Sequence, residues 1–293
     1  MLKLTDDFKK AVKERKLLPI IGAGFSKNIS PTFPDWSQVM DIAANILGYN
    51  PNILKMYGDY LQIAEYLFLQ DNLDKLKNEL VLKFGNPSFK VIDSRPHLLF
   101  PYLDVEAIYT TNWDSWIEKG FENEALAYRK IAAIQHFNEP NTFIGGKDRI
   151  NCLFNERQLK KIKKKFQYPK IIKLHGDFDF HDTFVLKETD YFERLSFEDP
   201  LDISFRADIL GKAMLFIGYS FNDINIRYLW HRFTKQFSST SNSCESYFIS
   251  FQENPILKKL LESQNISIIN LNSSNKQDSL IHFFKEVIKI QEL

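Results

Sequence analysis

Short apolar runs separated by amphipathic stretches make up most of this chain. The first run, 17–21, is apolar throughout, as in a strand that is buried on both faces, and it ends at a glycine. Further short and mainly apolar runs occur at 105–109, 171–174, 213–217, 247–250 and 266–269. Because most of these runs are separated by stretches with helical periodicity, the pattern predicts an α/β protein with a parallel sheet.

Apolar residues at three- and four-residue spacing predict the helices between these strands. Thr5 is the predicted N-cap of a first helix, and a long helical stretch follows the first strand and ends before the Gly85-Asn86-Pro87 turn. The predicted helical ranges are 6–16, 36–82, 114–121, 156–166, 201–212, 223–236, 255–263 and 277–290. We therefore predict one Rossmann-like, doubly wound, mainly parallel domain over 1–293, with helical insertions at about 36–100 and 120–168.

Composition excludes several classes of protein. The formal net charge of the 293 residues is +1, so no strong field favours nucleic acid or membrane as a partner. The two cysteines, Cys152 and Cys244, are too few and too far apart for a disulfide framework or a four-cysteine zinc module. We expect a cytoplasmic protein, because neither a signal peptide nor an apolar run long enough to span a membrane is present. The cysteine count also leads us to expect no bound metal.

One segment carries a local excess of positive charge. Its lysines are Lys160, Lys161, Lys163, Lys164 and Lys165. Runs of charge are usually solvated surface, and no aromatic residues alternate with these lysines, as they would on a stacking platform for bases. Contact with nucleic acid is therefore possible but not favoured.

A glycine turn follows the first predicted strand, at Gly22-Ala23-Gly24. The first glycine permits a tight turn, and the second lets a pyrophosphate approach backbone amides. The motif lacks a third glycine, because Lys27 stands near that place, so a turn without a ligand is an equal alternative. The carboxyl ends of parallel strands meet at one edge of a sheet, and a second glycine turn at Gly218 is expected to reach the same crevice.

Two polar residues follow other strands of the predicted sheet. The amide of Asn112 can hold a water or a sugar hydroxyl, because it both donates and accepts hydrogen bonds. His175 stands between a strand and Gly176, and an imidazole there suits general-base chemistry near neutral pH. The alternatives are an asparagine that caps a helix and a histidine with a structural role at a strand end.

Acidic residues after His175 raise the question of a metal site. Asp177, Asp179 and His181 are close in sequence, but no further cluster of ligand residues supports a metal. We expect these acids to be solvated loop residues.

Taken together, the motifs resemble the sirtuin-like NAD-binding superfamily, specifically its bacterial branch of stand-alone NADase-type domains. The elements that carry the resemblance occur in the family's order over 18–270: Gly22-Ala23-Gly24-Phe25-Ser26, Pro34-Asp35-Trp36, Thr111-Asn112-Trp113-Asp114, Lys173-Leu174-His175-Gly176 and Gly218-Tyr219-Ser220. Each element is short, but their shared order is specific.

The resemblance implies a role for each matched position, with NAD⁺ as the substrate. Asn112 would position the attacking water or the ribose, and His175 would be the base. The residues implied to contact the nucleotide are Gly22, Ala23, Gly24, Phe25, Ser26, Asp35, Trp36, Thr111, Asp114, Gly218, Ser220 and Asn270. Within this set, Gly22 to Ser26 would hold the diphosphate, and Asp35, Trp36 and Asp114 would lie on the nicotinamide side.

One departure from the family decides the expected reaction. Protein-deacylating sirtuins carry a four-cysteine zinc lobe beside the acyl-lysine groove, and two isolated cysteines cannot build that lobe. Water is therefore the expected acceptor, and NAD⁺ would be cleaved to nicotinamide and ADP-ribose through an oxocarbenium-like transition state. A divergent NAD-dependent deacylase and a non-catalytic module that senses NAD or ADP-ribose are the alternatives. A metal-dependent nuclease is disfavoured, because no suitable carboxylate cluster stands out.

The resemblance also implies partners. An enzyme that destroys NAD⁺ must be restrained inside its own cell, and bacterial relatives act as regulated effectors in anti-phage defence. We therefore expect a homo-oligomer, and a HerA-type ATPase is the partner that the family suggests.

Overall fold

The computed structural model describes residues 4–124, 126, 128–132, 143–144, 169–180, 183–194, 200–219, 227, 230–231, 245–272 and 274–292. Its strands are β1 (Leu17–Ile21), β2 (Ala107–Thr110), β3 (Tyr128–Ala132), β4 (Phe143–Ile144), β5 (Lys170–Lys173), β6 (Ala213–Ile217), β7 (Ser246–Ser250) and β8 (Ile266–Asn270). They form one sheet in the order β4-β3-β5-β2-β1-β6-β7-β8. Every neighbouring pair is parallel except β3 and β4. The predicted Rossmann-like, mainly parallel fold is confirmed.

Helices alternate with these strands, and those predicted at 6–16, 36–82, 114–121, 201–212, 255–263 and 277–290 are found, the 36–82 stretch as four separate helices. The helices are α1 (Asp6–Lys13), α2 (Ala23–Ser26), α3 (Trp36–Leu47), α4 (Pro51–Tyr57), α5 (Tyr60–Leu69), α6 (Leu73–Phe84), α7 (Arg95–Leu99), α8 (Trp116–Asn123), α9 (Glu188–Arg194), α10 (Pro200–Asp208), α11 (Pro255–Glu262) and α12 (Lys276–Glu292). Thr5 caps α1 by accepting a hydrogen bond from the backbone N–H of Phe8, as predicted. The predicted helix 156–166 lies outside the described residues, and 223–236 is described at three helical positions.

The sheet is buried on both faces, which is why its central strands are apolar throughout. In β1, Leu17 and Ile21 face a core that Phe8 of α1 and Phe284 of α12 complete. Leu18 and Ile20 face the opposite core, with α10 and α11 behind it. Alternate residues of one strand thus enter two different cores, as a sheet covered by helices on both sides requires.

Helices α3 to α6 lie between β1 and β2 and build a core of their own. Ala43, Ala64 and Leu80 are fully buried in it. Trp113 and Phe184 enter the same core from the sheet side, with ring centroids 5.6 Å apart. Because Trp113 directly follows Asn112, this helical insertion supports the segment that carries the predicted site.

Two strands, β3 and β4, and three short helices, α2, α7 and α9, lie outside the predicted strands and helical ranges. Within 120–168, the described residues hold the end of α8 and the strands β3 and β4. β3 contains Arg129 and Lys130, which hide any apolar run, and it is held by parallel pairing with β5. Helix α9 is likewise short and charged.

Within the described part of the chain, no helix has the length and apolar character needed to cross a membrane.

Candidate functional site

The strand register brings the predicted motifs together. Ile21 at the end of β1 is paired with Thr110 of β2 on one side and with Ile217 of β6 on the other. Thr110 is in turn paired with Lys173 at the end of β5. The segments that follow these four strands therefore leave the sheet at one edge. β1 lies where the chain changes direction across the sheet, and such a switch point is where α/β proteins bind ligands.

The two glycine turns are packed directly against each other. Gly24 N donates to Gly218 O at 2.8 Å, and Gly22 N donates to Ile217 O at 2.9 Å. A Cβ atom on Gly22 or Gly24 would lie 2.6 or 2.8 Å from Gly218 O. These glycines are thus required by close backbone packing, whatever ligand the turn holds. Ala23 and Gly24 are nevertheless exposed on the outer side of the turn.

Asn112 is buried at this edge of the sheet, with its amide held in one orientation. The Nδ2 group donates to Gly22 O at 3.2 Å and to Ser26 Oγ at 3.0 Å. The Oδ1 atom is buried and has no hydrogen-bond partner among the described residues. A buried polar atom of this kind is rare and calls for an explanation, and a bound water or hydroxyl group would satisfy it.

Ser26 connects Asn112 to Asp114. The Ser26 hydroxyl donates to Asp114 Oδ2 at 2.9 Å, and Trp116 N donates to Asp114 Oδ1 at 3.1 Å. Both oxygens of this carboxylate are therefore engaged within the protein. Burial raises the pKa of Asp114, and the nearby Lys173 opposes that rise.

His175 lies two residues after the end of β5, and Asn112 lies two residues after the end of the neighbouring strand β2. The two residues therefore occupy equivalent positions at this edge of the sheet. Its side chain is 3% exposed, and its ring meets Tyr191 of α9 edge-on at 5.4 Å. Its backbone O accepts a hydrogen bond from Val185 N. Gly176 follows with φ +86°, and a Cβ atom there would lie 2.1 Å from Thr183 O, so the turn after His175 requires glycine.

A buried group of charges lies next to the segments that carry Asn112 and His175. We call it the lysine cluster, and its members are Lys173, Lys130, Asp177 and Glu118. Lys173 Nζ lies 2.8 Å from Asp177 and 3.3 Å from Glu118, and Lys130 Nζ lies 2.7 Å from Asp177. Burial by itself would raise the pKa of Asp177, but Lys173 and Lys130 outweigh it and the pKa is lowered. Burial raises the pKa of Glu118.

The lysine cluster corrects one expectation. Asp177 is 0% exposed and ion-paired, so the prediction of a solvated loop acid is wrong for this residue. It is right for Asp179, whose side chain is 67% exposed. His181 lies outside the described residues. No group of three His, Cys, Asp or Glu residues that could hold a metal ion is found in the portion of the chain that is described.

The remaining predicted residues occupy varied places. The Phe25 side chain is fully buried in the core, with its ring 4.2 Å from that of His97. Asp35 is an exposed N-cap of α3, accepting from Gln38 N, and Trp36 begins that helix. Thr111 N donates to Ile21 O, while Asn270 ends β8 at the sheet edge and accepts from Asn272 N. Ser220 lies outside the described residues.

Sequence reasoning missed the residues that support His175. Arg194 at the end of α9 donates to Leu174 O and pairs with Asp202 of α10. Lys173 is a fully buried lysine within an apolar strand. The sequence did contain a signal for Lys173, namely its place inside an apolar strand. A lysine in such a strand is expected to be buried, and lysine is almost never fully buried unless it is paired.

Fold and site together define a mainly parallel α/β domain in which two glycine turns and the segments that carry an amide and an imidazole leave the sheet at its switch point. The model of the SIR2-like domain family matches residues 106–269, more than half of the chain. The chain belongs to the SIR2-like domain family, and the resemblance found in the sequence is confirmed.

The chain is also similar to individual proteins. The chain is 28% identical over 228 residues to the NAD(+) hydrolase ThsA of Bacillus cereus (strain MSX-D12), covering 77% of this chain and 41% of that protein. It is 25% identical over 229 residues to the ThsA of Cytobacillus dafuensis, covering 78% and 40%. The chain thus spans about two fifths of these relatives. A Sir2 homologue in complex with NAD has 12% identity and a TM-score of 0.46, covering 98% of this chain and 96% of that one.

Proposed function

We propose that this chain hydrolyses the N-glycosidic bond of NAD⁺, releasing nicotinamide and ADP-ribose. The observation that carries the proposal is the buried Asn112 Oδ1, which has no donor among the described residues. Asn112 follows β2 at the switch point of the sheet, as His175 follows the neighbouring strand β5. The match to the SIR2-like family and the names of the ThsA relatives support NAD⁺ as the substrate.

In the proposed reaction, water attacks the anomeric carbon of the ribose next to nicotinamide. The electron pair of the C–N bond passes to the nicotinamide ring, which leaves as a neutral base. Asn112 Oδ1 accepts a hydrogen bond from the water or from a ribose hydroxyl and so fixes its position. His175 takes the proton that the water loses.

The glycine turns are the proposed site of the diphosphate. Ala23 and Gly24 present an exposed backbone there, and Gly22, Gly218 and Ser220 complete the proposed contacts. For Ser26 and Asp114 the hydrogen bonds favour an orienting role over direct contact, since Asp114 has both oxygens engaged. Phe25 can contribute only through its backbone, because its side chain is buried in the core.

We further propose that the chain works in the cytoplasm as a regulated NAD⁺-depleting effector in bacterial anti-phage defence. Likeness to the ThsA hydrolases supports this role. Because unrestrained hydrolysis would harm the host cell, the proposal includes self-assembly into a homo-oligomer and control by a partner, with a HerA-type ATPase as the candidate.

The test is mass spectrometry of NAD⁺ incubated with the purified chain, alone and with the candidate partner. Nicotinamide and ADP-ribose should appear in equal amounts without any acylated peptide. Asn112→Ala and His175→Ala should each lower turnover by about 100-fold or more, the contribution typical of general-base catalysis and of positioning.

Matched controls are Asn123→Ala and His282→Ala, which alter exposed residues of the same types on α8 and α12. Both should keep full turnover.

Release of nicotinamide that depends on an acylated peptide would point to a deacylase instead. Binding of NAD⁺ without any release, under every condition that includes the partner, would point to a sensing module.

A further inference from the structure

The ammonium group of Lys173 lies between the two segments that carry Asn112 and His175. On one side, Lys173 Nζ donates to Trp113 O at 3.0 Å and to Asp114 O. Residues 111–115 are neither helix nor strand, so their backbone carbonyls need partners from elsewhere in the fold. Lys173 is a donor to two of these carbonyls, directly after Asn112, and Trp113 O also accepts from Phe178 N at 3.1 Å.

On its other side, the same ammonium group closes the turn that carries His175. Lys173 Nζ is 2.8 Å from Asp177, four residues later, and the turn between them contains His175 and the positive-φ Gly176. The ammonium group donates hydrogen bonds to two carbonyls, and the carboxylates of Asp177 and Glu118 lie within ion-pair distance of it. One nitrogen atom thus contacts both segments of the proposed active site.

The surrounding charges keep this lysine in place. Lys173 is 0% exposed, as is Asp177, and Glu118 lies 3.3 Å from the ammonium group. Lys130 makes a second ion pair with Asp177 at 2.7 Å. Two lysines thus face two buried carboxylates, and Lys130 also pairs with the exposed Asp179 at 2.9 Å. Removal of Lys173 alone would therefore leave a buried carboxylate short of a cation.

We propose that Lys173 is a positioning residue that holds the Asn112 segment and the His175 turn at a fixed separation. The proposal rests on the hydrolysis proposed above for what the two segments do. Lys173 does not touch the reacting atoms; it acts through Trp113 O, Asp114 O and Asp177.

The test compares Lys173→Met with the double variant Lys173→Met/Asp177→Asn. Methionine keeps the unbranched side chain as far as Cε without the charged nitrogen, and the second change removes the carboxylate that would be left unpaired. Replacing both members of a buried pair is often tolerated where removing one is not, so the double variant should recover most of the thermal stability. A purely structural lysine would then recover turnover as well.

The expected result is that the double variant folds but its kcat stays on the order of 100-fold below that of the wild type, the loss typical of small misplacements at an active site. KM should change far less than kcat, because nucleotide contacts are made elsewhere.

The control is Lys212→Met, which breaks a 2.9 Å ion pair with Glu106 at the opposite end of the strands. A double variant with wild-type kcat would overturn the proposal.

Amide hydrogen exchange provides a readout that does not need catalysis. Segments 111–115 and 174–178 should exchange faster in both Lys173 variants than in Lys212→Met. Unchanged exchange in both segments would refute the positioning role even if NAD⁺ hydrolysis were established. Faster exchange in a protein that never releases nicotinamide would support the positioning role and reject the proposed function.

Discussion

At the scale of single residues, the orientation of one amide decides what the site can bind. Ser26 donates its hydroxyl proton to Asp114, so its oxygen is left to accept from Asn112 Nδ2. Gly22 O also requires a donor from the same amide. Both neighbours therefore select the amide orientation that leaves Oδ1 as an acceptor for a ligand O–H.

Replacing Ser26 tests this orientation. Ser26→Ala removes the acceptor for Asn112 Nδ2 and the donor to Asp114, so we expect turnover to fall by about 10- to 100-fold, in line with a misoriented catalytic group. Nucleotide affinity should change less. The measurement is kcat and KM for NAD⁺, with circular dichroism to confirm folding.

The matched control for this variant is Ser30→Ala, which removes another buried serine hydroxyl, one that pairs with Thr32 Oγ1. Its turnover should stay at the wild-type level. If Ser26→Ala kept normal turnover, the amide of Asn112 would not depend on Ser26 for its orientation.

At the scale of secondary-structure elements, the site exists because four strands end together. Ile21, Thr110, Lys173 and Ile217 lie in neighbouring positions of β1, β2, β5 and β6. The two glycine turns then approach so closely that Gly218 O accepts from Gly24 N. A change in either turn would therefore shift the other, and with it the backbone around Asn112.

Gly218→Ala tests this close approach. Gly218 has φ +65°, and a Cβ atom there would lie 2.2 Å from Phe25 N. The backbone conformation alone should cost about 1–2 kcal/mol in the free energy of unfolding, and the clash with the backbone should add to that cost. Urea unfolding measures the total.

Gly211→Ala is a matched control, because Gly211 has φ +73° and a Cβ atom added there would have no neighbour within 4 Å among the described residues. It should show the conformational cost without the clash. Equal losses of stability in the two variants would mean that the turns do not need their close contact.

The same elements show how far the sequence could be read. β1 and β6 were predicted at their observed bounds, because a strand buried on both faces has an uninterrupted apolar run. β3 could not be found in this way, since Arg129 and Lys130 interrupt its pattern and pairing with β5 selects its conformation. Lys173 lies in a predicted strand, but its partners Glu118 and Asp177 come from other elements.

At the scale of the whole molecule, the core on one side of the sheet contains a buried histidine. His97 of α7 is 1% exposed, its Nδ1 lies 2.7 Å from Ser94 Oγ, and its ring stacks near Phe25. Burial lowers the pKa of His97 to about 3. The unfolded chain, with a histidine pKa of about 6.5, therefore binds one more proton than the folded chain between these two values.

Stability should accordingly fall as the pH is lowered from about 6.5 towards 3. A difference of one bound proton changes the free energy of unfolding by about 1.4 kcal/mol per pH unit, so His97 should account for a loss of about 2 kcal/mol between pH 7 and pH 5. His97→Gln should lack this part of the pH dependence. Urea unfolding of both proteins at several pH values measures the difference in slope.

The control for this comparison is His282→Gln, which changes an exposed histidine on α12. Its pH dependence should follow that of the wild type. If His97→Gln had the same slope as the wild type, His97 would not be held neutral by its burial.

The sequence by itself determined the α/β class, the central strands and the polar residues that follow them, because hydrophobic periodicity and turn residues are local properties of the chain. It therefore also identified Asn112 and His175 as candidates. Only the tertiary structure decided that Asp114 is turned towards Ser26, that the glycine turns pack on each other and that Lys173 is buried among carboxylates. Those facts depend on distances between residues far apart in the chain, which strand register and packing fix and local sequence does not.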